Sequence, residues 1–149
     1  MNTCIEIALA EYGVTERNGT LHDKRILQYF KDIGHSWVTT DEVAWCSAFV
    51  NWVALQSGCS RSNKLNARSW LNVGNKVTTP TLGDVVVFWR EKRSSWKGHV
   101  GFFIGYSEDK REIYCLGGNQ NNRVCIKAYP TYRLLGFRNI KTWGQPISA

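Results

Sequence analysis

No stretch of this sequence approaches the roughly 18 consecutive apolar residues that a membrane-spanning helix needs. The first residues, Met1-Asn2-Thr3-Cys4-Ile5-Glu6, lack the basic-then-apolar pattern of a secretory signal, so synthesis in the cytoplasm is expected, with assisted release to any site outside it. Five cysteines, Cys4, Cys46, Cys59, Cys115 and Cys125, form no C-x-x-C pair. An odd number cannot all be joined within one chain, which argues against a disulfide framework. No internal repeat or low-complexity tract interrupts the chain. Its basic residues come without a recognition-helix or RNA-binding motif, so a nucleic-acid partner is not expected.

What is present is enough for one folded unit. A chain of 149 residues, 43% hydrophobic and carrying seven tryptophans, can bury a sizeable core, and a single domain over residues 1–149 is expected. The formal charge of +7 favours an anionic partner, for which nucleic acid and an acidic cell envelope would both serve. The densest basic group, Arg90, Lys92, Arg93 and Lys97, reads as a solvated loop.

Hydrophobic spacing predicts helices first and strands afterwards. Ile5, Ala8, Leu9 and Tyr12 recur at helical spacing before Gly13, and a second helix, capped by Thr20, would carry Ile26, Leu27 and Phe30 to Gly34. Asp41 is a good N-cap for a third helix that ends at Gly58. In that helix Phe49, Val50, Val53 and Ala54 follow Cys46 by three, four, seven and eight residues, so the thiol stands at the top of a core-facing stripe. Asn66 or Ser69 starts a short helical turn through Trp70 and Leu71. That turn ends near Gly74, and from there the pattern changes to β: Gly83-Asp84 is a turn signal, and strands are expected over residues 85–89, 99–106, 112–116, 124–128 and 134–139. The class is α+β, helices followed by an antiparallel sheet.

A cysteine at a helix start is a candidate nucleophile, but an ordinary thiol is only a few per cent ionised at neutral pH. The helix dipole supplies about 0.3 to 1 kcal/mol, so a base must contribute the rest. His99, which opens the strand His99-Val100-Gly101-Phe102-Phe103-Ile104, is the best candidate, because a strand projects an imidazole rigidly. His22 and His35 read as loop or surface histidines. If the turn after Tyr106 pairs that residue with Arg111 or Glu112, constant hairpin register places Gly118 or Asn119 opposite His99. Asn119 is then the residue that orients the imidazole, with Gln120 in reserve if the register differs. Backbone N–H groups at the helix start are oxyanion donors. Asp41 and Glu42 can contact substrate or cap the helix. Trp45, Trp70, Trp89 and Trp96 can line a groove or sit in the core. A metal site is disfavoured, since Cys46 and His99 lack a close ligand pair nearby, and no cofactor is required. The bland alternative for Cys46 is a small buried hydrophobe.

Five segments occur in order: Trp45-Cys46-Ser47-Ala48-Phe49-Val50-Asn51-Trp52, Ala67-Arg68-Ser69-Trp70-Leu71, Gly83-Asp84-Val85-Val86-Val87-Phe88, Gly98-His99-Val100-Gly101-Phe102 and Leu116-Gly117-Gly118-Asn119-Gln120. Across residues 41–138 the chain resembles the CHAP and NlpC-type superfamily of papain-like peptidoglycan hydrolases, particularly small phage endolysins and bacterial cell-wall amidases. The resemblance implies a papain-like fold with the nucleophile at a helix N-terminus packed on an antiparallel sheet. It implies Cys46 as nucleophile, His99 as base and then acid, and Asn119 as the orienting residue. Bacterial peptidoglycan is the implied partner, cut at an N-acetylmuramoyl-L-alanine or stem-peptide amide by a monomer. A holin would assist release of a phage enzyme, and an immunity protein would accompany a secreted interbacterial toxin of the same chemistry. A non-catalytic wall- or nucleic-acid-binding domain is the reading from a different class.

Overall fold

Thr3 and Glu6 satisfy each other's backbone N–H groups in a capping box. That box starts α1 (Cys4–Ala10) in the computed structural model, which describes residues 3–15, 24–37 and 44–141. Inward-facing residues of this segment are Cys4, Ala8 and Glu11, whereas Leu9 and Tyr12, expected on the core face, are exposed. The reason is polar. Glu11 turns inward to receive the Tyr29 hydroxyl at 2.8 Å and the Arg25 guanidinium at 2.6 Å, and this sets the face that α1 presents.

The second helix, α2 (Lys24–Asp32), buries Ile26, Tyr29 and Phe30, with Tyr29 taking the inward place expected of Leu27. Thr20 and His22 lie outside the described residues. Against both helices packs α3 (Cys46–Ser57), buried continuously from Cys46 to Ala54. A helix buried on every side needs apolar partners all round, and α1, α2 and the sheet supply them. Its N-cap is Trp45 rather than Asp41, and its C-cap is Gly58, left-handed at φ +73° as a stop requires. Asp41 and Glu42 lie outside the described residues. The short turn around Trp70 is a 3₁₀ helix, Ala67–Asn72.

Six strands follow: β1 (Asn75–Val77), β2 (Val85–Trp89), β3 (Gly98–Tyr106), β4 (Glu112–Gln120), β5 (Arg123–Pro130) and β6 (Leu134–Asn139). They form one antiparallel sheet in the order β1-β6-β2-β3-β4-β5. The fold is α+β. Strand β1, three residues with no hydrophobic alternation, was not expected; its pairing with β6 creates it. Val85 and Val87 face the helices while Val86 and Phe88 join a second cluster with Phe103, Ile113, Cys115 and Phe137, which explains why β2 is apolar throughout. Neighbouring strands lie about 4.8 Å apart, so Phe88 on β2 and Tyr129 on β5 would be far apart in a flat sheet. Their rings stack at 4.8 Å. The sheet therefore curls strongly, and this curvature builds the site. None of the helices described is long and apolar enough to cross a membrane.

Candidate active site

Cys46 is the first residue of α3, where backbone N–H groups have no partner inside the helix. Behind it, Ser47 donates to the Lys64 carbonyl at 2.6 Å and accepts the Trp70 indole N–H at 2.9 Å. One turn later Asn51 donates to the same carbonyl at 3.0 Å and accepts the Asn63 N–H at 2.9 Å. The helix start is thus tied to the following loop and to the 3₁₀ turn. Trp45 and Trp70 are fully buried and hold this corner; they line no open groove. Trp96 is 73% exposed, and Trp89 is half-buried.

Close approach of α3 to the sheet depends on Gly118 of β4. A Cβ there would stand 2.7 Å from the Trp45 ring and 2.8 Å from the Phe49 Cβ. The thiol reaches β3, where the N–H of Val100 turns toward its sulfur together with that of Ser47. Val100 follows His99, so the thiol on α3 approaches β3 one residue from the imidazole. They make no direct hydrogen bond among the described residues. Cys46 is 8% and His99 6% exposed, so both are buried.

The imidazole is held on two sides. Its ring stacks on Tyr129 at 4.9 Å, and its Nε2 meets Gln120 Oε1 at 2.8 Å. Gln120 rather than Asn119 is therefore the hydrogen-bond partner of His99, and the cause is a bulge. Gly117 pairs with Cys125 but Gln120 with Arg123, a shift of one residue, and Asn119 takes the left-handed conformation at φ +57°. The extra residue reverses the alternation and brings Gln120 to the His99 face. Register in the β3–β4 hairpin also departs from the expected one: Tyr106 pairs with Ile113, and a second irregularity lies between Phe103 and Gly105.

The polarity of the Gln120 contact is determined by its other end. Gln120 Nε2 donates to the carbonyls of Cys125 at 2.6 Å and Cys115 at 3.2 Å, which can only accept. Oε1 is left to face the ring, so His99 Nε2 carries the proton and Nδ1 keeps a lone pair. This is the tautomer of a base. Burial dominates the electrostatics, lowering the His99 pKa to about 4 and raising that of Cys46. Opposing the rise in Cys46 are the nearby N–H groups and the charge of Arg90. Thiol and imidazole accordingly rest as a neutral pair at neutral pH.

A family model described as CHAP domain matches residues 38–119, more than half of the chain and both members of this pair. The chain belongs to the CHAP domain family. No curated protein matches it. Membership in the CHAP family suggests a cysteine- and histidine-dependent hydrolase acting as an amidase or endopeptidase on peptidoglycan.

Within this CHAP domain, the structure places three of the residues expected at the site near one another, Cys46, His99 and the reserve residue Gln120. Sequence reasoning missed Tyr129, for which no signal existed, since its contact with His99 requires the curl of the sheet. It also missed the Val100 N–H and the charge of Arg90 near both reactive groups. Cys4, Cys115 and Cys125 are buried, while Cys59 is half-buried with its sulfur 3.4 Å from that of Cys4. No disulfide joins any of the five.

Proposed function

We propose that this CHAP domain cleaves amide bonds of bacterial peptidoglycan through a thioacyl intermediate on Cys46. Loss of the thiol proton to His99 Nδ1 accompanies attack on the carbonyl carbon, and the imidazolium then returns the proton to the leaving amine. A water activated by the same nitrogen hydrolyses the thioester. Gln120 holds the ring in the required tautomer throughout and accepts the Nε2 proton more strongly as the ring becomes charged. Backbone N–H groups at the start of α3, that of Cys46 among them, supply the oxyanion contacts. The observation that carries the reading is the hydrogen-bond polarity of Gln120, which leaves a basic nitrogen on an imidazole one residue from the N–H that meets the thiol.

The neutral resting pair favours a general-base attack over a preformed thiolate–imidazolium pair, because burial penalises both ions. The bond cut is an N-acetylmuramoyl-L-alanine amide or a stem-peptide amide. A phage endolysin released with a holin is the simplest setting; a secreted interbacterial toxin would use the same chemistry, with an immunity gene beside it. Purified peptidoglycan is digested under reducing conditions and its products are weighed by mass spectrometry. New amino groups with fragment masses identify the bond, and activity retained by Cys46→Ala overturns the mechanism.

A further inference from the structure

The positive charge of this chain is placed unevenly around the reactive pair. Arg90 follows Trp89, whose partner across the sheet is Gly98, the residue before His99. Its backbone is anchored at both ends, its N–H donating to the Lys97 carbonyl at 3.2 Å and its carbonyl accepting from Lys92 at 2.8 Å. The loop between is clasped by Arg68, whose guanidinium donates to the carbonyls of Lys97, Arg93 and Lys92 at 2.9, 2.8 and 3.2 Å. Arg90 is therefore presented from an ordered base although its side chain is exposed. Its charge acts on both the Cys46 thiol and the His99 imidazole.

A second cation approaches by way of the ring stack. Lys127 Nζ lies 5.5 Å from the centroid of Tyr129, and that ring stacks on His99. No carboxylate among the described residues forms an ion pair with either cation. Glu91 is occupied by Lys97, and Glu11 by Arg25. Two cations with no carboxylate partner among the described residues, beside a buried neutral pair, disfavour the imidazolium, a cost that a bound anion would offset.

We propose that Arg90 and Lys127 form an anion subsite flanking Cys46 and His99, which seats a carboxylate of the substrate close to the amide being cleaved. The proposal rests on Cys46 as nucleophile. It deepens that reading by requiring an acidic group near the scissile bond, as the free carboxylates of peptide stems would provide. An anion held there offsets the two positive charges and makes protonation of His99 easier once substrate is bound.

Alkylation of Cys46 tests this without peptidoglycan, with iodoacetate as the anionic probe and iodoacetamide as its neutral counterpart. The rate ratio of the two reagents, read by mass spectrometry of the peptide bearing Cys46 and normalised to N-acetylcysteine, isolates recognition of the negative charge. In the intact protein this ratio is expected to exceed one and to fall as sodium chloride is raised. Arg90→Gln/Lys127→Gln is expected to lower it at least fivefold, whereas Arg90→Lys retains most of it. Both side chains are exposed, so melting temperatures should stay within a few degrees of the unsubstituted protein. A ratio equal to that of the free thiol, or unchanged in the double variant, overturns the subsite while leaving the nucleophile intact. A Cys46 that reacts with neither reagent overturns the nucleophile reading and the subsite with it.

Discussion

Cys46 and Cys115 are neighbouring buried thiols with raised pKa, yet they stand on different elements, α3 and β4. Cys115 lies mid-strand in β4, fully buried above the space left by Gly101, with only the Phe102 N–H favouring its ionised form and with two neighbouring thiols opposing it. Cys46 sits at a helix start, slightly exposed, with the N–H groups of Val100, Ser47 and its own residue and the charge of Arg90 favouring the anion. Burial does not separate them. Directed N–H groups and an imidazole on the adjacent strand do, because in the proposed mechanism these stabilise the charge that develops during attack rather than the resting thiol.

The comparison breaks most readily at the thiols themselves. Cys46→Ala should reduce amine release from peptidoglycan by at least about 10³-fold, while Cys115→Ala should stay within a few fold. Equal losses in the two variants would show that the helix start confers no special reactivity.

Next comes His99. Replacement by Ala should cost about 10² to 10⁴ in kcat/KM, the span expected of a general base. Burial also links this residue to acid stability. The unfolded imidazole takes its proton near pH 6.5 and the folded one at about 4, so the stabilising contribution is present above 6.5 and is lost as pH falls through 4. A shift of this size is worth up to about 3 kcal/mol. Thermal melts across pH 7 to 4 should fall more steeply for the natural chain than for His99→Gln, and parallel curves would contradict the assigned burial.

Gln120 sharpens the contrast, since its two ends discriminate donor from acceptor. Gln120→Glu turns a carboxylate toward the carbonyls of Cys115 and Cys125, leaving buried acceptors unsatisfied at about 1–3 kcal/mol. A fall in melting temperature with impaired turnover is expected, and unaltered melting would refute the polarity argument.

The smallest effect concerns the approach of α3. Gly118→Ala forces a Cβ against Trp45 and Phe49 at about 1–3 kcal/mol, whereas Gly105→Ala opens onto free space and should change stability by less than about 1 kcal/mol. Urea denaturation compares the two directly, and equal midpoints would mean that Gly118 is not needed for the close approach.

The α+β class, the helix carrying Cys46 and its stop at Gly58 were legible because they depend on local hydrophobic period and on a conformation that glycine adopts readily. The strand carrying His99 was legible for the same reason. Asn119 and Gln120 were harder to tell apart, since the decision rests on a bulge, and a bulge reflects pairing between distant segments. Leu9 and Tyr12 carried the right period, but Glu11 found partners in α2 and set the face of α1 from outside the segment. The caps at Thr20 and Asp41, like Glu42, fall outside the described residues.

From sequence alone, then, came the candidates for the proposed chemistry: a thiol at a helix start, an imidazole on a strand and an amide side chain beside it. Tertiary structure decided which amide, in which polarity, and beside which aromatic ring. Local periodicity fixes the face of an element only relative to itself, whereas the curl that stacks Phe88 and His99 on Tyr129 and the bulge that turns Gln120 inward arise only when the strands pair.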